Sequence, residues 1–304
     1  MRRSIDPTVD VVFKEILGSD HHKSLLVNFL NAILGYEKAD RVVDVIFRDP
    51  FISKAFVDGK LSVVDVRAID QRGREFQIEI QVSSNPTLPQ RMLHNWCGLY
   101  HGRIIEGQAF NELEPVIAIW LLVGELPPLL VSRGGDGALK LKGKKRVKSG
   151  LVHLAFGIYC PEGKRFLTDH CAIHVLQLKH WPRGGSIDDD KGRWISFFKE
   201  GKNLDPDNPP GWMETPEMRE AMSILRKFSE QEKNYHLYLS RLNEWRARKT
   251  EANDLDRAKK DVEKAQQRLA EERAKRKSEK AQAVATIDRL RDQLRRAGLD
   301  PDAP

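Results

Sequence analysis

Two short segments of the chain alternate apolar with polar residues, and they are separated by a run of turn-forming residues. The segments are Leu61–Ile69 and Glu75–Val82, and the turn-forming run is Asp70–Arg74. Alternation with many β-branched residues on either side of such a run predicts an antiparallel hairpin. If its loop is symmetric about Arg72, the numbers of paired residues sum to twice 72, or 144. Asp65 then lies directly opposite Glu79.

Other stretches carry the apolar spacing of helices or the continuous apolar runs of buried strands. The helices predicted near the N-terminus end at Gly18 and Gly35, and Thr215 is predicted to cap a later helix. The predicted helices are Val9–Leu17, His22–Leu34, Leu88–Ile105, Trp194–Glu200, one starting at Pro216, and one from about Tyr235 almost to Gly298. The predicted strands besides the hairpin are Arg41–Phe47, Val116–Val123, Leu151–Tyr159 and Cys171–Leu178. In the helix from Leu88, the predicted core face carries Leu93, Trp96, Cys97 and Tyr100.

Composition indicates a globular protein with an appendage. The 304 residues are 40% hydrophobic, no run of about 20 apolar residues is present, and the basic start is not followed by an apolar stretch. We therefore expect no membrane association and a cytoplasmic location, associated with the nucleoid when DNA is bound. The three cysteines form no disulfide pattern. A zinc site of Cys160, His170, Cys171 and His174 is disfavoured because its spacing matches no usual ligand pattern.

The net charge of +7 is concentrated at the C-terminal end. Residues 245–304 hold 17 Lys and Arg against 12 Asp and Glu, which leaves 34 against 32 for residues 1–244. Within the body, six of the nine residues Lys140–Lys148 are basic, which suits either phosphate neutralisation or a solubilising loop. The tail has apolar residues at coiled-coil spacing with Glu272 and Arg276 in the seam, and this favours a parallel or antiparallel homodimer over a lone helix.

The facing carboxylates of the hairpin carry the candidate chemistry. Directly opposed residues lie about 5 Å apart, where two charges repel by about 3 kcal/mol at an effective dielectric of ~20. A hard divalent cation such as Mg2+, which prefers oxygen ligands, would offset that repulsion. Gln81 lies two residues beyond Glu79 and so belongs to the same face.

The order Asp65, hairpin, Glu79-Ile80-Gln81 resembles the PD-(D/E)XK nuclease superfamily, in particular its branch of recombination-promoting nucleases and transposase-like proteins (Rpn-like). The superfamily usually has Lys where this chain has Gln81, whereas the branch commonly has Gln. From about Asp6 to about Leu242, further segments are similar to the branch: Asp6–Leu17, Leu25–Leu34, Gln90-Arg91, Tyr100, Gly107 and Leu113–Ile117. Gln177 departs from the branch, where Glu is commoner.

The resemblance implies an α/β fold with a mixed sheet flanked by helices, extended by additional strands and a long helical tail. The expected divisions are a nuclease core over 1–130, accessory strands and helices over 131–244, and a basic helical tail over 245–304. The implied function is a Mg2+-dependent DNA endonuclease acting in recombination, mobile-element biology or phage defence.

The resemblance also implies roles for individual residues. Asp65, Glu79 and the Ile80 carbonyl would hold the metal, and Gln81 would orient the attacking water. Arg91 lies at a helix N-terminus, where a cation does not complement the dipole, so it is either a phosphate contact or a plain surface arginine. The remaining candidates for DNA contact are Lys14, Lys60, Lys144, Lys145 and Arg146, and those for an additional acidic group are Asp10 and Glu15, each of which also suits an ordinary solvated helix face.

Two other classes of function remain open. Gln81 in place of Lys is consistent with a catalytically weak DNA-binding or regulatory protein that keeps the nuclease fold. The tail is consistent with a coiled-coil interaction protein whose body is a scaffold.

Overall fold

The structure is a computed structural model that describes residues 3–52, 62–82, 85–127, 132–133, 139–140, 150–182 and 187–296. The α-helices are α1 (Asp10–Leu17), α2 (Lys23–Leu34), α3 (Leu88–His101), α4 (Asp190–Glu200), α5 (Pro216–Glu230) and α6 (Glu232–Arg296). The strands are β1 (Val45–Phe47), β2 (Phe51–Ile52), β3 (Ser62–Val63), β4 (Val66–Asp70), β5 (Glu75–Gln81), β6 (Val116–Leu122), β7 (Ser132–Arg133), β8 (Leu139–Lys140), β9 (His153–Phe156), β10 (Tyr159–Cys160), β11 (Arg165–Phe166) and β12 (Cys171–Gln177).

Six of the strands form one mixed sheet in the order β1-β4-β5-β6-β12-β9. The three central strands, β5, β6 and β12, are parallel, and the outer strands pair antiparallel to their neighbours. All seven residues of β6 are buried, as expected for a strand covered on both faces. The predicted mixed α/β fold of the PD-(D/E)XK type is confirmed.

A hydrophobic core lies on each face of the sheet. One face of β5 and β6, with Ile78 and Ile119, packs in the core that also contains buried residues of α1, α2, α4 and α5. The opposite face of β6, with Ala118 and Trp120, packs in the core that contains Met92 and Trp96 of α3. The centre of the sheet, where the hairpin lies, is therefore covered by a hydrophobic core on both faces.

Several predicted element boundaries agree with the structure because local signals set them. Gly35 ends α2 with φ +68°, a left-handed conformation that favours glycine. Gly18 follows α1, and the Thr215 hydroxyl accepts a hydrogen bond from the Met218 amide at 3.3 Å as the N-cap of α5.

Three predictions about elements were wrong. The first hairpin strand, predicted over Leu61–Ile69, begins only at Val66, because Ser62–Val63 forms the separate strand β3, which pairs with β2. The strand predicted from Arg41 begins at Val45, because the side chain of Asn31 bonds both the N–H and the C=O of Val42 and takes them out of the sheet ladder. In α3, Leu93 is 52% exposed and Cys97 is exposed, whereas the buried face follows Met92 and Trp96. The apolar face of this helix is therefore rotated from the predicted one.

The chain divides into two compact units, residues 1–249 and residues 250–304. The first contains the sheet and its helices, and the second contains the C-terminal part of α6. Within the described part of the chain, no helix combines the length and the apolar character needed to cross a membrane.

Candidate functional site

The β4–β5 hairpin has the predicted register. Its paired residues run from Val66 with Ile78 to Ile69 with Glu75, so the numbers of each pair sum to 144. Asp65 comes directly before β4, and the same register places it opposite Glu79. Local alternation therefore places the two carboxylates opposite each other, Asp65 directly before β4 and Glu79 within β5.

Asp65 is held by groups from two other directions. Its Oδ2 accepts a hydrogen bond from the Ile80 amide at 2.9 Å. Its Oδ1 lies 3.1 Å from Nζ of Lys14, an ammonium group supplied by α1. These two contacts fix the position of the Asp65 carboxylate. They also bring a lysine into a site whose third motif position carries Gln81.

Glu79 has less compensation for its charge. Its side chain is buried, and the Gln77 Nε2 donates a long hydrogen bond of 3.3 Å to its Oε1. Burial raises the pKa of Glu79 well above its ordinary value, and the charge of Asp65 raises it further, while Arg91 opposes the shift. A bound cation would therefore stabilise Asp65 and Glu79 relative to the same two carboxylates without a cation.

Gln81 is bonded to a cation at the same edge of the sheet. Nη2 of Arg91 donates to Oε1 of Gln81 at 2.5 Å, and the Arg91 guanidinium lies 5.0 Å from the centre of the Trp120 ring. Stacking and the hydrogen bond fix the guanidinium near the carboxylate pair. Arg91 is exposed and lies at the site through these two contacts, and its role as a phosphate contact stays a prediction.

These groups line a cavity of about 200 Å³. Its walls are formed by Thr8, Asp10, Asp65, Glu79, Ile80, Gln81, Val82, Arg91, Arg241, Glu244 and Trp245. Of the two candidate additional acids, Asp10 lines this cavity, whereas Glu15 lies beside His22 with the Oε1 to Nε2 distance 3.8 Å. The candidates Lys60, Lys144, Lys145 and Arg146 lie outside the described residues.

The cavity offers the hard oxygen atoms that Mg2+ prefers. Two carboxylates converge in it beside Ile80, and the pKa of Glu79 is raised first by burial and then by the charge of Asp65, both of which a bound cation would oppose. Within the described ranges, no three His, Cys, Asp or Glu side chains lie close enough to hold a metal together. A cation here would depend on the two carboxylates, a backbone carbonyl and water.

Comparison with known proteins bears on this geometry. Residues 7–129 match the family model of the PD-(D/E)XK nuclease family transposases. This segment is similar to the PD-(D/E)XK nuclease family. The match ends well before Leu242, where we expected the resemblance to end, and it covers less than half of the chain. No curated protein and no solved structure matches the chain.

The family segment contains Asp65, Glu79, Gln81 and Arg91, together with Lys14. The family match supports a nuclease or transposase-like function, which implies DNA as substrate. It also agrees with a divalent cation, because nucleases of the PD-(D/E)XK type typically use one.

The residues of the disfavoured zinc site have other surroundings. Nδ1 of His174 lies 2.9 Å from Nε2 of His153, and Nδ1 of His170 lies 3.0 Å from the Tyr100 hydroxyl. Cys160 is exposed and Cys171 is buried. Tyr100 also stacks on Trp96, with ring centres 5.1 Å apart, so its contacts are those of a packing residue.

Sequence reasoning missed several residues of the site. Gln77 is fully buried, bonds Glu79 and has no partner for its Oε1 among the described residues. The signal for it was present, because β5 alternates Glu75, Gln77, Glu79 and Gln81 with Phe76, Ile78 and Ile80. Arg241, Glu244 and Trp245 carried no such signal, since they lie on a helix far along the chain.

Proposed function

We propose that the protein is a Mg2+-dependent DNA endonuclease that hydrolyses phosphodiester bonds. The observation that carries the proposal is the pair of facing carboxylates, a partly exposed Asp65 and a buried Glu79, on the hairpin of the mixed sheet within the segment that matches the nuclease family model. Asp65, Glu79 and the carbonyl of Ile80 would hold the cation. When bound, the cation would supply Lewis-acid stabilisation of charge on the scissile phosphate and a lowered pKa for a coordinated water.

The other residues of the site would bind and orient the substrate. Arg91 presents a guanidinium that is fixed over Trp120 and so can receive a phosphate oxygen without being reordered. Gln81, held by Arg91, has a side-chain amide that can orient a water near the phosphate. Lys14 brings an ammonium group to Asp65 and would act in place of the motif lysine that the superfamily usually carries.

The biological setting that fits this activity is recombination, mobile-element movement or phage defence. All three require cutting of DNA. The match to a family model of transposases supports mobile-element movement. A homodimer formed through the C-terminal helix would place two such sites in one assembly.

The test is nicking of supercoiled plasmid by the full-length chain in Mg2+. We expect Asp65→Asn and Glu79→Gln each to reduce the rate about 100-fold or more, and EDTA to abolish nicking. The matched control is Asp44→Asn, which removes an exposed carboxylate outside the cavity and should cut like the wild type. Thermal unfolding of every variant checks that the fold is retained.

Two results would contradict the proposal. Cleavage that survives in both carboxylate variants would place the activity elsewhere or in a contaminant. DNA binding without any cleavage by the wild type would favour a regulatory protein that keeps the nuclease fold, the alternative suggested by Gln81.

A further inference from the structure

One wall of the cavity comes from outside the segment that matches the nuclease family. The family match ends at residue 129, yet Arg241, Glu244 and Trp245 of α6 line the same cavity as Asp65 and Glu79. All five residues belong to the first compact unit of the chain. The site is thus completed by a helix that the family segment does not contain.

The start of α6 is fixed in place by packing against the N-terminal segment. Tyr238 is buried, and its hydroxyl accepts a hydrogen bond from the Asp6 amide at 3.1 Å. Tyr238, Arg241, Leu242 and Trp245 recur at i, i+3, i+4 and i+7, so they share one face of the helix. Leu242 packs against the main core. Anchoring of Tyr238 and Leu242 therefore determines where Arg241 lies.

The charges of the cavity show what this wall contributes. Its acidic residues are Asp10, Asp65, Glu79 and Glu244, and its basic residues are Arg91 and Arg241. A polyanionic strand entering such a cavity needs cations besides the metal. Arg91 is already bonded to Gln81 and stacked on Trp120. Arg241 is the second lining cation.

Arg241 is held by a contact that a phosphate can replace. Its Nη1 lies 3.1 Å from Oε2 of Glu244, and the two side chains are 44% and 47% exposed. An ion pair exposed to this extent contributes little to stability. A guanidinium can form two-pronged, charge-assisted hydrogen bonds with phosphate, so a backbone phosphate can take the place of Glu244.

We propose that Arg241 binds a backbone phosphate of the DNA strand in the cavity, and that Glu244 holds the guanidinium in position until the phosphate replaces it. This inference rests on the proposed nuclease function. It assigns a substrate contact to the helix that follows the nuclease domain. It also makes α6 part of the DNA-binding surface of the first unit.

The experiment measures binding of a duplex oligonucleotide separately from cleavage. Binding is followed in EDTA at several salt concentrations, in the Glu79→Gln background so that no cutting occurs. We expect Arg241→Gln to reduce the slope of log K against log salt by about 0.9, the value for one lost phosphate contact, whereas Arg241→Lys retains most of the slope. Glu244→Gln should raise the affinity because it removes the competing carboxylate.

The matched control is Lys233→Gln, which removes an exposed cation from the first turn of the same helix, outside the cavity. It should leave the slope unchanged. In the wild-type background, we expect Arg241→Gln to raise KM for plasmid nicking about 10-fold with a smaller change in kcat.

The outcomes separate this inference from the proposed function. If Arg241→Gln binds and cuts like Lys233→Gln while the wild type is an active nuclease, Arg241 is a surface arginine and the inference is overturned alone. If the wild type neither binds nor cuts DNA, the proposed function fails and the inference fails with it.

Discussion

At the scale of single residues, the fold buries Glu79 beside Asp65, whereas the proposed chemistry requires both side chains to be ionised. Asp65 has a backbone amide and the ammonium group of Lys14 beside it, whereas Glu79 is buried and accepts a long hydrogen bond from Gln77. Two charges about 5 Å apart repel by about 3 kcal/mol at an effective dielectric of ~20. The free protein therefore bears an energetic cost that a bound cation would remove.

Replacing Glu79 with Gln should stabilise the protein when no divalent cation is present. We expect the free energy of unfolding at pH 7 in EDTA to rise by about 1 kcal/mol or more, since the neutral amide is not repelled by Asp65. Mg2+ should raise the midpoint of thermal unfolding of the wild type but not of this variant. Differential scanning fluorimetry with and without Mg2+, with Asp44→Asn as the control, measures both effects.

The same variant should show a defined pH dependence. The folded-state pKa of Glu79 is raised, so its contribution to stability is fully present below the unfolded-state pKa of about 4.3 and is lost as pH rises through the folded value. The advantage of Glu79→Gln should therefore shrink towards pH 4. A variant less stable than the wild type at pH 7 in EDTA would contradict the argument.

At the scale of elements, three cationic or titratable side chains meet where β9, β12 and α4 pack together. His153 of β9 lies 2.9 Å from His174 of β12, and Nζ of Lys191 on α4 lies 2.7 Å from Nδ1 of His153. Burial, the charge of Lys191 and the neighbouring His174 lower the pKa of His153 to about 4. Burial and Lys191 lower that of His174 to about 4 as well.

This junction should weaken in acid. An unfolded histidine has a pKa of about 6.5, so the folded state binds fewer protons between that value and about 4, and stability is lost as pH falls through this window. His174→Asn removes the titration. Its deficit relative to the wild type should shrink by on the order of 2 kcal/mol from pH 7 to pH 4. Urea unfolding at pH 7, 5.5 and 4 measures the change.

The control for the acid experiment is His21→Asn, which replaces an exposed histidine. It should follow the wild type at every pH. If the stability of His174→Asn runs parallel to that of the wild type between pH 7 and pH 4, the histidine pair does not titrate as proposed.

The hairpin and the histidine junction differ in how far the sequence predicts them. The β4–β5 register follows from alternation and a symmetric turn, both of which are local, and so the facing of Asp65 and Glu79 could be derived. His153 and His174 meet only through antiparallel pairing of β9 with β12. No periodicity within either strand identifies its partner.

The same distinction holds within the candidate site. Gln77 could be inferred from the alternation in β5, whereas the bond between Arg91 and Gln81 depends on how α3 packs on the sheet. Arg241 reaches the cavity through tertiary contacts of Tyr238. Asn31 shortens β1 in a similar way, because its side chain bonds the backbone of Val42, and strand propensity does not predict such a bond.

At the scale of the whole molecule, the second unit, residues 250–304, presents an unusual surface. Its helix carries apolar side chains that are about half exposed in the single chain: Val262, Leu269, Val284, Ile287 and Leu290. In the predicted coiled-coil seam of this helix, Arg276 and Glu272 form an ion pair of 2.7 Å. A helix with such a seam is stabilised by burying it against another helix.

Removal of residues 250–304 should therefore separate assembly from chemistry. We expect the full-length chain to sediment as a dimer and the chain 1–249 to sediment as a monomer, because the truncation deletes the apolar seam and leaves the first unit intact. The truncated chain should still nick plasmid in Mg2+, since Asp65, Glu79 and the α6 wall at Arg241 are retained. Analytical ultracentrifugation and the nicking assay measure the two properties on the same samples.

A point variant distinguishes loss of the seam from loss of length. The double variant Leu269→Asp, Ile287→Asp places charges in the apolar seam of a helix of full length. It should give a monomer that cuts DNA. Gln266→Asp with Gln282→Asp adds the same charges at positions outside the predicted seam and should remain dimeric. A full-length chain that is already monomeric would rule out the tail as a homodimer interface, whereas loss of nicking on truncation would make residues 250–304 part of the DNA-cutting machinery.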